Sequence, residues 1–195
     1  MAEPTEEHSK VSWAVPPLDF SFKQIADETD IFTQKPSKNR LGTGPKVGED
    51  GKYNAAAVWL GNNKLQTTRD AAAILNLLLV APINLVWLDL SYNKIYDIDV
   101  QILHFKNLKI LYLHGNVIYN LEVVTQLQPL QELRSLTLHG NPMDSLPQYR
   151  TTVLHLLPQL TSLDFVRVVR SERLGKPPQW HQDIVRGKKK SLPKD

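Results

Sequence analysis

Two histidines, His114 and His139, each occupy the same place in a Leu-His-Gly-Asn tetrapeptide. Paired imidazoles can hold a metal, pass a proton or stack. A zinc site needs at least three protein ligands, and the spacing fixes no third one here. The chain has no cysteine, which removes thiolate nucleophiles, thiolate ligands and disulfides together. It also lacks a glycine-rich phosphate loop, a metalloprotease helix motif and a nucleophile elbow. The His, Asp and Ser residues that catalysis would draw on fall at repeating positions with a structural reason to be there. No enzyme chemistry, cofactor, metal or small-molecule substrate is expected. What remains is recognition chemistry, carried by Trp59, Trp87, Ile110 and Tyr112. Trp and Tyr offer large, rigid, amphipathic contact area and dominate binding hot spots. Asp89, His114 and His139 would add charge and polar specificity beside them.

These residues share one pattern, L-x-x-L-x-L-x-x-N-x-L. It is met by residues 55–65 (with Ala and Val substitutions), 85–95, 108–118 and 133–143. A fifth copy starts at Leu160 and has Val168 where the asparagine belongs. Repeats of this kind, about 20–29 residues long, define leucine-rich-repeat solenoids. The leucines at pattern positions 4 and 6 should line a short strand's inner face, and the strands should stack in parallel. Helices or 3-10 turns should return along the convex side. Asn63, Asn93, Asn116 and Asn141 should serve backbone groups of the turn, a structural rather than catalytic duty. Positions 3, 5, 7 and 8 should project from the concave face. There they place Trp59, Trp87, Asp89, Tyr92, Ile110, Tyr112, His114, Thr137, His139, Ser162 and Asp164, with Trp59, Trp87, Ile110 and Tyr112 forming an aromatic patch.

Three segments follow from this: an extended arm and flexible linker over 1–54, a repeat domain with its C-terminal cap over 55–165, and a basic tail over 166–195. A helix is expected near residues 67–80, with Thr68 able to cap it, Asp70 in its first turn and Pro82 past its end. In the arm, Trp13 precedes an apolar run with alternating Leu18, Phe20 and Phe22. That run would either fold back as an N-terminal cap or dock on a partner as a linear motif. The tail holds nine Lys/Arg against three Asp/Glu, including Trp180 and the Lys188, Lys189, Lys190 cluster. It is either a solvated tail or a contact for an acidic partner surface. Nothing at the N-terminus reads as a signal peptide, and no apolar run is long enough to span a bilayer. A cytoplasmic protein with no membrane role is expected.

The segment 16–22, the runs 85–93, 111–116 and 133–143, and the Lys176-to-Trp180 stretch together resemble the leucine-rich repeat-containing protein 51 family. After residue 141, an Asn-Pro turn, Tyr149-Arg150, a short helix and a closing Leu163-Asp164 strand resemble the terminal cap of the spliceosomal U2A′ type. The resemblance implies a cytoplasmic, non-enzymatic protein that binds other proteins. By analogy with small repeat proteins of cilia and flagella, it implies a structural or adaptor place in a cytoskeletal assembly such as the axoneme, with tubulin or axonemal proteins as partners. Two other readings are a ribonucleoprotein subunit and a phosphatase-regulating subunit. Direct nucleic-acid binding is not expected, because the repeat body is nearly neutral and its aromatics are not interleaved with Lys or Arg.

Overall fold

A computed structural model describes residues 16–38 and 44–174 of the chain. Trp13, Trp180, Lys188, Lys189 and Lys190 lie outside the described residues. The solenoid presents one sheet of seven strands in chain order. They are β1 (Leu18–Asp19), β2 (Ala57–Trp59), β3 (Trp87–Asp89), β4 (Ile110–Tyr112), β5 (Ser135–Thr137), β6 (Ser162–Leu163) and β7 (Val166–Arg167). β1 to β6 pair in parallel without a register slip, so Val58, Leu88, Leu111 and Leu136 form one row. Parallel neighbours need a long crossover, and each repeat supplies one over the convex side. The crossovers are mostly 3-10 turns, such as Val100–His104 and Leu121–Leu127. Inside, the paired leucines of positions 4 and 6 are fully buried from Val58 and Leu60 to Leu136 and Leu138.

The longest crossover holds α1 (Thr68–Leu78), at the expected place. Its N-cap is Thr67 rather than Thr68. The Thr67 hydroxyl accepts from the Asp70 N–H, and the Asp70 carboxylate accepts from the Thr67 N–H at 2.9 Å. Thr68 is fully buried, and its hydroxyl instead accepts from the Asp99 N–H of the next coil at 2.7 Å. The second helix, α2 (Tyr149–Leu156), buries Val153 and Leu156 over the end of the core, with Leu157 and Leu160 just beyond it.

The sheet starts earlier than the repeat pattern. β1 pairs with β2, aligning Leu18 with Val58 and Asp19 with Trp59. Leu18 and Phe20 are buried. Of the two alternatives read from the sequence the fold takes the cap: Leu18 and Phe20 are core residues and are not offered to a partner. An uncovered solenoid end leaves apolar side chains and a sheet edge in water, and the 16–22 segment covers both. Only Phe22 of that alternating set stays outside, 72% exposed. The segment read as linker also holds local order where described. Val47 bridges Tyr53, Tyr53 bridges Leu79, and the Ser37 N–H donates to the Asp19 carbonyl at 2.7 Å.

The four asparagines stitch the coils. Asn93 donates to the carbonyls of Leu90 in its own coil and Leu60 in the preceding one, at 3.1 and 2.9 Å, and accepts from the Leu65 N–H at 3.0 Å. Asn63, Asn116 and Asn141 repeat this arrangement, Asn63 reaching back to Phe20, Lys23 and Ile25 of the first coil.

Candidate protein-binding surface

The residues after each strand set the shape of the concave rim. Pattern position 8 has positive φ in successive coils: Phe22 (61°), Asn62 (57°), Tyr92 (52°), Gly115 (68°) and Gly140 (71°). Glycine and asparagine adopt this left-handed conformation at little cost, whereas bulky Phe and Tyr are strained there. Both strained side chains stand out on the rim, Tyr92 at 57% exposure. The Tyr92 ring lies over Gly115, where a Cβ would meet its Cδ1 at 2.6 Å.

Across the face itself, aromatic rings meet edge to face. Trp59 and Trp87 lie 5.4 Å apart, Trp87 and Tyr112 5.8 Å, and Tyr112 and Phe165 5.3 Å, with interplanar angles of 68–73°. Each such contact adds about 0.5–1.5 kcal/mol beyond area burial. The two indoles and Tyr112 are half-buried. The indole Nε1–H groups of Trp59 and Trp87 are buried and find no hydrogen-bond partner among the described residues. Burial raises the Tyr112 phenol, and the nearby Asp89 charge raises it further.

Phe165 was not legible as a surface residue. Its spacing is that of a position 6 core residue in the fifth repeat, yet it is 59% exposed. After β6 the chain reverses: Asp164 and Phe165 both have positive φ, 54° and 62°, and β7 returns antiparallel with Leu163 opposite Val166. Two left-handed residues between paired strands form the tight hairpin turn whose twist matches the sheet. In earlier coils the N–H at position 6 donates to a backbone carbonyl of the next strand, as Leu113 does to Thr137. At the reversal no strand continues, and the Asp164 side chain takes over. It accepts from the N–H groups of Leu138 (2.6 Å) and His139 (2.9 Å) and from the Tyr149 hydroxyl (2.9 Å). Burial and this carboxylate push the Tyr149 phenol far above its ordinary value, so it remains a donor. The only sequence signal for the reversal was the missing asparagine at Val168.

His114 and His139 are neighbours, with rings 4.7 Å apart and within 6° of parallel. Lone pairs of stacked rings lie in parallel planes and do not converge on one ion. Their Nδ1 atoms are engaged elsewhere, His114 with Thr137 Oγ1 at 2.8 Å and His139 with Asp164 Oδ1 at 3.3 Å. Burial, then the neighbouring His139, lowers the His114 pKa. Phe165 and Tyr92 meet the edges of the pair, joining it to the aromatic chain. The structure thus brings Trp59, Trp87, Asp89, Ile110, Tyr112, His114 and His139 onto one face. It places Thr137 beneath that face, fully buried.

Residues 78–191 match the family described as Leucine-rich repeat. The rat leucine-rich repeat-containing protein 51 is 38% identical over 190 residues, 97% of each chain. The human protein of that name is 42% identical over 168 residues, 86% of each. This chain belongs to the leucine-rich repeat-containing protein 51 family. Among solved structures, that of the Drosophila melanogaster SNF/U2A′ complex aligns over 87% of this chain and 84% of that one, with TM-score 0.56 and 20% identity. At that identity the likeness is one of fold. A U2 small nuclear ribonucleoprotein A′ of Yarrowia lipolytica is 45% identical over 47 residues, 24% of this chain. For this member of the protein 51 family, the repeat fold and its protein-interaction character rest on these matches together with the sheet.

Proposed function

We propose that this member of the leucine-rich repeat-containing protein 51 family is a non-catalytic adaptor that grips another protein with its concave face, within a cytoskeletal assembly such as the axoneme. The observation that carries the binding reading is the edge-to-face chain from Trp59 through Trp87 and Tyr112 to Phe165 on a sheet face that no element among the described residues covers. A contiguous aromatic surface of this kind, half-buried along the strands and exposed at Phe165, supports an interface. The cytoskeletal setting is supported by charge: the 166–195 segment, with Lys188, Lys189 and Lys190, suits the acidic surface of tubulin. A second reading, a ribonucleoprotein subunit, is supported by the short match to U2 ribonucleoprotein A′ and by the resemblance of the segment after residue 141 to the U2A′-type cap.

Cross-linking mass spectrometry on the tagged full chain in extracts of ciliated cells separates the two. Cross-links to axonemal proteins from the repeats and the tail, weakened when Trp59, Trp87 and Tyr112 are changed to Ala, are the expected result. Cross-links confined to splicing subunits would transfer the protein to the second reading.

A further inference from the structure

The concave face is aromatic and acidic at once. Strand register sets Asp19, Trp59, Asp89, Tyr112 and Thr137 in one row across β1 to β5. Asp89 therefore stands between Trp59 and Tyr112 on adjacent strands, each about 4.8 Å away, with Trp87 two residues back on the same face of β3. Register thus sets three aromatic residues beside one carboxylate on the same face. Oδ1 of Asp89 accepts from the Ser91 N–H at 2.8 Å. Neither an Arg nor a Lys among the described residues pairs with Asp89. Gly61, beside it on the neighbouring coil, adds no side chain next to the carboxylate: a Cβ there would stand 3.2 Å from Ser91 Oγ and 3.5 Å from Asp89 Oδ1.

The surrounding charge points the same way. Positions 3, 5, 7 and 8 of the coils carrying β1 to β5 hold Asp19 and Asp89 and no Lys or Arg, although the whole chain has a net charge of +3. A half-buried carboxylate loses hydration without gaining a counter-ion, and a cation brought to it restores what burial removed. Indole and phenol faces attract cations through their quadrupoles, Trp most strongly. A flat guanidinium can lie on a ring while it forks onto a carboxylate, which a lysine ammonium cannot do. A nucleic-acid phosphate, in contrast, would meet two carboxylates and no Lys or Arg over β1 to β5, with Arg167 standing opposite Ser162 at the far edge of the sheet.

We infer that the concave face takes an arginine side chain of its protein partner against Trp59, Trp87 and Tyr112, with Asp89 as the counter-charge. This deepens the proposed function and rests on its concave-face binding. Asp19, whose Oδ1 accepts from the Ser21 N–H at 2.8 Å, extends the negative row along β1 and favours a partner segment with further basic residues on that side.

The test uses the full chain with 15N-labelled tryptophan, titrated at low salt with N-acetyl-arginine methylamide and with its neutral isostere N-acetyl-citrulline methylamide. The indole resonances of Trp59 and Trp87 shift saturably with the arginine compound and not with the citrulline compound. Asp89→Asn keeps an acceptor for the Ser91 N–H and weakens the arginine response by about fivefold or more. Equal responses to both compounds, or an unchanged response in Asp89→Asn, would overturn the inference. So would movement of the free-state indole signals when Arg186, Lys188, Lys189 and Lys190 are changed to Gln, because the chain's own tail would then be the occupant. Cross-links that survive Asp89→Asn but fail in the triple alanine variant would sink the arginine assignment alone. Cross-links indifferent to both variants would sink concave-face binding itself.

Discussion

At the scale of single residues, the asparagines and the left-handed positions carry the fold. Asn93 is 7% exposed, and its amide serves three backbone groups from two coils that no ladder reaches. Asn93→Ala leaves the buried Leu65 N–H without an acceptor, while the Leu60 and Leu90 carbonyls keep the amides of Asn63 and Asn116, so it should lower unfolding free energy by about 1–3 kcal/mol in urea titration. A loss below about 0.5 kcal/mol would mean that water replaces the amide. Gly115→Ala meets two obstacles, a positive φ and the Tyr92 ring. It should cost about 1–3 kcal/mol, part of which Tyr92→Ala restores, so the double-mutant cycle should show coupling. The asparagines were legible from their spacing. The strain at Phe22 and Tyr92 was not, because only the glycines of the two Leu-His-Gly-Asn motifs announce that position 8 is left-handed. His114 adds a pH term. Its folded pKa lies below the ordinary 6.5, so the unfolded chain takes up the proton first. Its contribution to stability is therefore full above 6.5 and is lost as pH falls from there through the lower folded value. The melting temperature should drop between pH 7.5 and 5.5, and less so in His114→Gln.

At the scale of elements, α1 was readable because an alanine- and leucine-rich run is bounded by Thr67, Asp70 and Pro82. The choice between adjacent threonines was not, since it depends on Thr68 being drawn into the next coil to accept from Asp99. The 3-10 crossovers have too few residues to show a period. The terminal cap was legible in type but not in its reversal, which the Asp164 carboxylate and the Arg150–Glu172 pair fix in space. Arg150 donates to Glu172 at 2.5 Å and to the Leu163 carbonyl at 3.0 Å, tying α2 to β6 and to the last turn. The hydrogen bond from Arg150, then that from the Val169 N–H, holds the Glu172 carboxyl below its ordinary 4.5. A depressed acid stabilises above its unfolded pKa and ceases to do so as pH falls through the folded one. Cap unfolding, followed by the near-ultraviolet signal of Tyr149, should therefore have an acid limb below pH 4.5. Glu172→Gln should remove that limb and leave the His114 window intact. An unchanged limb would place the acid sensitivity elsewhere.

At the scale of the whole molecule, each coil touches mainly its neighbours, so damage should spread only a short way. The sequence separated an arm, a repeat domain and a tail, but the core obeys no such boundary. Leu18 and Phe20 share it with the repeats, because an apolar pair at the right register is what the open end of β2 requires. Covalently the arm lies outside the repeats; energetically it is the first coil. Phe20→Ala tests this, since emptying a fully buried aromatic site costs about 3–5 kcal/mol. If 16–22 is a structural coil, amide exchange should quicken at Leu60, Asn62 and Lys64, which pair with the coils on either side of β2, while Leu113 and Gly115 keep their protection. Exchange that quickens equally from β2 to β5 would describe a single cooperative unit, in which the end coil stabilises every repeat. No change at Leu60 to Lys64 would instead free the arm for a partner. The contrast bears on function, because a concave face built on coils that open independently can lose its first coil and still present Tyr112, His114 and Phe165 to a ligand.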